Sequence, residues 1–271
     1  MARHDLVTRV QNLTSLSWSE RASSSGTAGT YLKARTGTGS RALYYKLSRF
    51  NGLEVDGYEC VYELVASRLM EVLGIEHAAY RLVHARVVID SVEHVTWVNT
   101  SRSFRLPGER KLALGAFFEL YRNDGETPYE LCRRFGWEDD ARRTMLVDYL
   151  VANRDRHSSN IEVLVARDGT RRLSPVFDTG FSLLAPLAGD EECIRSFEPL
   201  ADVATTNFVG SRSLEKNLEL VGRVPLARDL VAGDRELIMS GLDRALPPHH
   251  LEKVWEIVWR RWERYADVRD S

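Results

Sequence analysis

The chain has 271 residues, 44% of them hydrophobic and 28% charged, with 37 Lys plus Arg against 39 Asp plus Glu and a net charge of -2. Such a length can bury one large core or two lobes around a cleft, and the composition excludes long disordered tracts. The balanced charge excludes a global field that would draw in nucleic acid or an anionic membrane. The start, MARHDLVTRVQNL, is too charged for a secretory signal and no apolar run reaches membrane-spanning length, so the expectation is a cytoplasmic protein with no direct nucleic-acid or membrane partner. Cys60, Cys132 and Cys193 are far apart and form no C-x-x-C pair, which reads as reduced, mostly packed thiols.

From Ser15 to about Lys46, short alternating runs split by Gly/Ser/Thr clusters predict a meander of three strands. Val61, Leu64, Val65, Leu69, Val72 and Leu73 then recur at helical spacing, with Gly74 as the C-cap. YRLVHARVVID and HVTWVNTSRSF flank a turn at 90–93 and predict an antiparallel pair. After Phe104 the connector RLPGERK changes the pattern, so residues 1–104 read as one lobe and 105–271 as a second, mainly helical one. In the second lobe KLALGAFFELYR and DDARRTMLVDYLVANR are predicted helices, and IEVLVARDGTRRLSPVF is a hairpin about Asp168-Gly169. From Ser213 onward the pattern is helical again. The last helix aligns Leu251, Trp255, Val258, Trp259 and Trp262, a core-packing face rather than an aromatic platform for nucleic acid. The fold class is therefore α+β with two lobes, an antiparallel sheet carrying one helix followed by a helical lobe.

The chemistry concentrates in NRDRHSSN (153–160) and SPVFDTG (174–180). Phosphoryl transfer requires oxygen ligands for a metal, a cation on the phosphates and a group at the acceptor hydroxyl. Asp155 would orient or deprotonate the hydroxyl, while Asn160 and Asp178 would supply oxygen to Mg²⁺. Lys46, in ALYYKL, would contact the phosphates of ATP and Glu63 would hold it by an ion pair, with Glu59 the weaker candidate. In SSSGTAGTY, residues Ser24, Ser25, Gly26, Thr27, Ala28 and Gly29 sit at a turn where backbone N–H groups can approach phosphate oxygens. Either the loop or the lysine alone is commonplace; their order along the chain, with the helix glutamate, the D-x-H-x-x-N loop and the Asp-Thr-Gly turn, is what points to a phosphotransferase. His157 reads as a loop histidine that orients Asp155 or the turn before Asp178, since no second His or Cys lies at ligand spacing. His249-His250 follow Pro247-Pro248 at a helix start.

These motifs resemble the HipA-like serine/threonine kinases. The resemblance spans SSGTAGTYLKA, YYKLS, YELVASRLMEVLGI, LVDYLVANRDRHSSNIEVL and LSPVFDTGFSLL. It implies a two-lobed protein-kinase-like fold, ATP and Mg²⁺ as cofactors, Asp155 as the catalytic aspartate, Asn160 and Asp178 as metal ligands, and a protein acceptor. Asp178-Thr179-Gly180 stands where kinases carry Asp-Phe-Gly, and the family's extra N-terminal subdomain is missing, so this looks like a compact kinase core. The resemblance also implies an antitoxin-like partner and autophosphorylation of a phosphate-loop serine, for which Ser23, Ser24 and Ser25 are the candidates. A phosphate there would repel those of ATP. DRHxxN also resembles the catalytic loop of phosphoinositide-type lipid kinases, although Arg102, Arg105, Arg110 and Lys111 read as a solvated loop rather than a membrane-facing patch. A non-catalytic binding module is the third reading, and it leaves a full set of competent residues unexplained.

Overall fold

The computed structural model describes residues 4–19 and 31–270. Its first sheet contains β1 (Leu6–Asn12), β2 (Lys33–Thr36), β3 (Leu43–Leu47), β4 (Tyr80–Ile89) and β5 (Val92–Arg102), in the spatial order β1-β4-β5-β3-β2. The antiparallel sheet expected from the sequence is present, with one exception: the edge strand β1 runs parallel to β4. Of the meander expected between Ser15 and Lys46, the described residues contain β2, β3 and an isolated antiparallel bridge of Ser19 to Lys33, and the remainder lies outside the described residues. The β4–β5 hairpin turns on Asp90 and Ser91, whose φ values of 49° and 68° are those a two-residue turn needs to match the twist of the strands.

Helix α1 (Glu59–Leu73) follows β3 and is buried on nearly every side, including Glu59, Glu63, Ser67 and Arg68. An apolar stripe alone marks a half-buried surface helix, but here the polar face is covered as well. Arg68 explains how that is tolerated: its guanidinium donates to both carboxylate oxygens of Asp5 and to the carbonyls of Ile238 and Ser240. Gly74 ends the helix at φ 70°, as its position in the sequence suggested.

Beyond the first sheet lie β6 (Arg110–Ala113), α2 (Leu114–Tyr121), α3 (Pro128–Arg134) and α4 (Glu138–Leu150), then the hairpin of β7 (Glu162–Val165) and β8 (Arg171–Leu173). The segment KLALGAFFELYR is not one helix. Its first residues form β6, pairing antiparallel with β7, because that edge of the hairpin needs partners for its backbone groups. Helix α3, missed in the sequence, carries a full capping box between Thr127 and Glu130 with Pro128 at its first turn. The remaining helices are α5 (Glu191–Ser196), α6 (Leu214–Val221), α7 (Asp234–Met239) and α8 (Pro248–Asp270).

One continuous core joins α1, α4, α6 and α8. The buried face of α8 is Val254, Ile257, Val258, Arg261, Trp262 and Tyr265, while Leu251, Trp255 and Trp259 are only partly covered. The apolar pattern misplaced this face because Arg261 lies at its centre, donating to the carbonyls of Tyr149 and Ala201. Among the described residues no helix is long and apolar enough to cross a membrane. Gly74→Ala should destabilise the protein by more than about 1 kcal/mol in urea unfolding, since a Cβ at this left-handed position would lie 2.4 Å from the Cβ of Ala227.

Candidate active site

The catalytic-loop segment begins where α4 ends, and its shape is fixed by a buried ion pair that sequence reasoning did not single out. Arg156 and Asp148 are both fully buried, and the guanidinium donates to Asp148 from Nε and from Nη2 at 2.9–3.1 Å. Its remaining nitrogen, Nη1, donates to the carbonyls of Asn160 (2.9 Å) and Phe177 (2.6 Å). One side chain thus holds both ends of the approach to the cleft, the last residue of NRDRHSSN and the residue before Asp178. Asn153 Nδ2 also donates to Asp148, at 2.7 Å. Burial works against the charge on Arg156, but the adjacent Asp148 carboxylate overrides it and raises its pKa. The sequence signal was available: an Asp on the buried face of a helix needs a cationic partner.

Asp178 is reached from the other side. Val176 pairs with the strand-like segment before β4, donating to Glu76 O and accepting from Ala78 N, which brings Tyr80 beneath the loop. The Asp178 N–H then donates to Tyr80 Oη at 3.0 Å, and Asp178 itself has φ 53°, in the left-handed region. Lys46 Nζ lies 2.6 Å from Asp178 Oδ1 and 2.8 Å from Glu63 Oε1, so one ammonium bridges strand, helix and loop. Asn99 on β5 donates to the second oxygen of Glu63 at 2.6 Å. Burial opposes the charge on all three groups. Even so, the pull of Asp178 and Glu63 raises Lys46 well above its ordinary value, and Lys46, Lys33 and Arg156 hold the Asp178 carboxyl well below the usual range. For Glu63, burial dominates and the carboxyl shifts upward.

Glu59 is engaged elsewhere, accepting from Arg49 N at 3.0 Å and from Tyr31 Oη at 3.4 Å. Gly180 lies against α1: a Cβ there would sit 3.2 Å from Lys46 Nζ and 3.3 Å from Glu63 Cγ, so the glycine of Asp-Thr-Gly permits this close approach. Lys33, not singled out in the sequence, stands directly opposite Lys46 in the β2–β3 ladder, with its ammonium 3.8 Å from Asp178 Oδ2. Two lysines facing each other across a strand pair repel, and Asp178 lies between them. Their spacing across two strands could not be read before the register was known.

Asp155 is more open than Asp178. Its Oδ1 accepts from Thr206 Oγ1 at 3.0 Å, and the segment carrying Thr206 pairs with the loop through Thr206 N to Arg154 O and Phe208 N to Arg156 O. Asn160 Nδ2 donates to the Asp155 carbonyl at 2.9 Å, which leaves its side-chain oxygen for the cleft. His157 Nε2 is 3.7 Å from Asp155 Oδ2, and its Nδ1 accepts from Ser159 N. Lys33, Lys46, Glu63, Asn160 and Asp178 line one cleft together with Tyr80, Phe104, Phe177, Lys111 and Glu162. Ser24, Ser25, Gly26, Thr27, Ala28 and Gly29 lie outside the described residues, as does Ser23.

No protein-family model and no curated protein matches the sequence. Among solved structures, a proinflammatory kinase of Helicobacter pylori, CtkA, is similar at a TM-score of 0.56 and 15% identity, with 96% of each chain covered. The two chains share a fold. The α+β architecture expected from the sequence is thus present over the described residues. A second similar structure, the Shewanella oneidensis HipA, HipB and operator DNA complex, matches at a TM-score of 0.48 and 17% identity over 91% of this chain and 67% of that one.

Removing one member of the buried pair should be costly, because the other is left as an uncompensated charge. Asp148→Ala is expected to destabilise the protein by about 3–5 kcal/mol in chemical denaturation. The exposed pair of Arg260 with Glu263 provides the contrast, since Glu263→Ala should change stability by less than about 1 kcal/mol.

Proposed function

We propose that this protein is an ATP- and Mg²⁺-dependent kinase that transfers a phosphoryl group to a serine or threonine hydroxyl of another protein. The observation that carries this reading is the triad of Lys46, Glu63 and Asp178, drawn from strand, helix and loop into the cleft that Asn160 also lines. Its division into an N-lobe of residues 1–104 and a C-lobe of 105–271 belongs to the same reading, with the cleft between them.

In this reading Lys46, oriented by Glu63, binds phosphate oxygens, and Lys33 adds a second cation. The Asn160 side-chain oxygen and the Asp178 carboxylate form a donor set of hard oxygens that suits Mg²⁺, which would supply charge neutralisation at the phosphates. Asp155 accepts the proton of the acceptor hydroxyl through the oxygen that Thr206 does not occupy, with His157 as a neighbour that orients it. The same reading assigns residues 24–29 to phosphate binding, and one of Ser23, Ser24 and Ser25 receives phosphate by autophosphorylation. An antitoxin-like protein partner is part of the same proposal.

Incubation with labelled Mg-ATP and a bacterial lysate should label protein, and Asp155→Ala should reduce the rate by about 100-fold or more. Label that persists unchanged in this variant, or that passes only to phosphoinositide vesicles, counts against a protein kinase using Asp155. Mg-ATP should also raise the thermal midpoint of Asp155→Ala, since nucleotide binding is retained, but not that of Lys46→Met. An intact-mass spectrum after incubation should gain one phosphate in the wild type and none in Asp155→Ala.

A further inference from the structure

Outside the cleft, among the described residues, one group combines two imidazoles and a carboxylate with converging ligand atoms. His249 and His250 lie in the first turn of α8, and Glu191 is the first residue of α5. His249 Nε2 contacts Glu191 Oε2, and His250 Nε2 lies 3.2 Å from Glu191 Oε1. One ligand atom from each residue can be chosen so that all three lie within 4.8 Å of one another. Successive residues of a regular helix point about 100° apart, yet here the rings meet edge to face with centroids 4.6 Å apart and both Nε2 atoms turned to the same carboxylate.

We propose that Glu191, His249 and His250 form a binding site for a divalent transition-metal ion, Zn²⁺ by the chemistry of its donors. Zinc takes imidazole nitrogen at about 2.0–2.1 Å and carboxylate oxygen at about 2.0–2.2 Å in a tetrahedron, which places ligand atoms about 3.4 Å apart. His250 Nε2 lies 3.2 Å from Glu191 Oε1, close to that spacing, while His249 and Glu191 stand nearer and would move apart to admit the ion. Two nitrogens and one oxygen select against Mg²⁺, the ion suited to the all-oxygen donors of the cleft.

Burial supplies a second observation. His250 is 1% exposed and held edge-on to the Tyr58 ring, with centroids 5.3 Å apart, so its Nε2 is aimed before any ion arrives. Its Nδ1 is buried without a hydrogen-bond partner. That nitrogen lies across the ring from Nε2 and is not one of the converging ligand atoms. Glu191 and His249 are solvent-exposed, which leaves the fourth position of the tetrahedron open to water. The site also touches Tyr58, the residue immediately before α1, so an ion here would tie α5 and α8 to the start of the helix that carries Glu63.

The protein is first stripped with EDTA, dialysed and titrated with Co²⁺, whose visible absorption reports low-coordinate nitrogen and oxygen ligation; Zn²⁺ is then followed by thermal unfolding. The wild type should bind one equivalent of Co²⁺ with a clear visible band, and Zn²⁺ should raise its thermal midpoint. His249→Ala and Glu191→Gln change exposed side chains, and each should weaken Co²⁺ binding by about 100-fold or more, beyond what loss of an outer-shell partner typically does. Asp178→Asn, which alters only the all-oxygen donors of the cleft, should leave that visible band unchanged. The proposal is overturned if the wild type binds no stoichiometric Co²⁺, in which case the cluster is a carboxylate shared by two imidazole donors. It is equally overturned if the two site variants bind as tightly as the wild type, or if Asp178→Asn abolishes the visible band.

Discussion

The buried ion pair between Asp148 and Arg156 is the constraint on which the cleft depends. Two charges without solvent exposure are a poor source of stability in themselves, because desolvation offsets much of their attraction. What the pair supplies is geometry. Asp148 is fixed by α4, Arg156 is held to it through several N–H donors, and the remaining guanidinium nitrogen grips the carbonyls of Asn160 and Phe177. Two loops that flank the β7–β8 hairpin and carry the candidate catalytic and metal-binding groups are thereby referred to the same helix. An apolar pair of similar volume would fill the space without making either contact.

Helix α1 makes the corresponding connection from the first sheet. Its C-terminal half is anchored by Arg68 to Asp5 and to the carbonyls beside α7, while its N-terminal half presents Glu63 to Lys46. A helix buried on nearly every side cannot rotate without bringing its charged residues against apolar neighbours, so the position of Glu63 is tied to the packing of the core. The close approach of Gly180 completes this join, since a Cβ there would crowd Lys46, Glu63 and Glu59 at 3.2–3.4 Å.

Local patterns made much of this legible in the sequence. The hairpins at 90–91 and 168–169, the left-handed cap at Gly74 and the order of Lys46, Glu63, Asp155, Asn160 and Asp178 all follow from short-range chemistry. The capping box Thr127-Pro128-Tyr129-Glu130 was equally local and was overlooked. What stayed hidden depends on pairing across long distances. Residues 110–113 become a strand only because β7 is beside them, Lys33 matters only through its register with Lys46, and the exposed face of α8 was misjudged because a buried arginine interrupts its apolar stripe. Glu191 meets His249 and His250 across a sequence separation that no spacing rule covers.

Asp178 has a divided allegiance that follows from the facing lysines. Its carboxylate faces both Lys33 and Lys46, and so separates two ammonium groups that would otherwise repel across the ladder. A polyphosphate engaging those lysines takes over that role and frees the carboxylate for a cation. A cation engaging the carboxylate in turn frees the lysines for phosphate. Under the proposed function, nucleotide and metal are therefore coupled ligands of a single exchange, and each must raise the affinity for the other by the same factor.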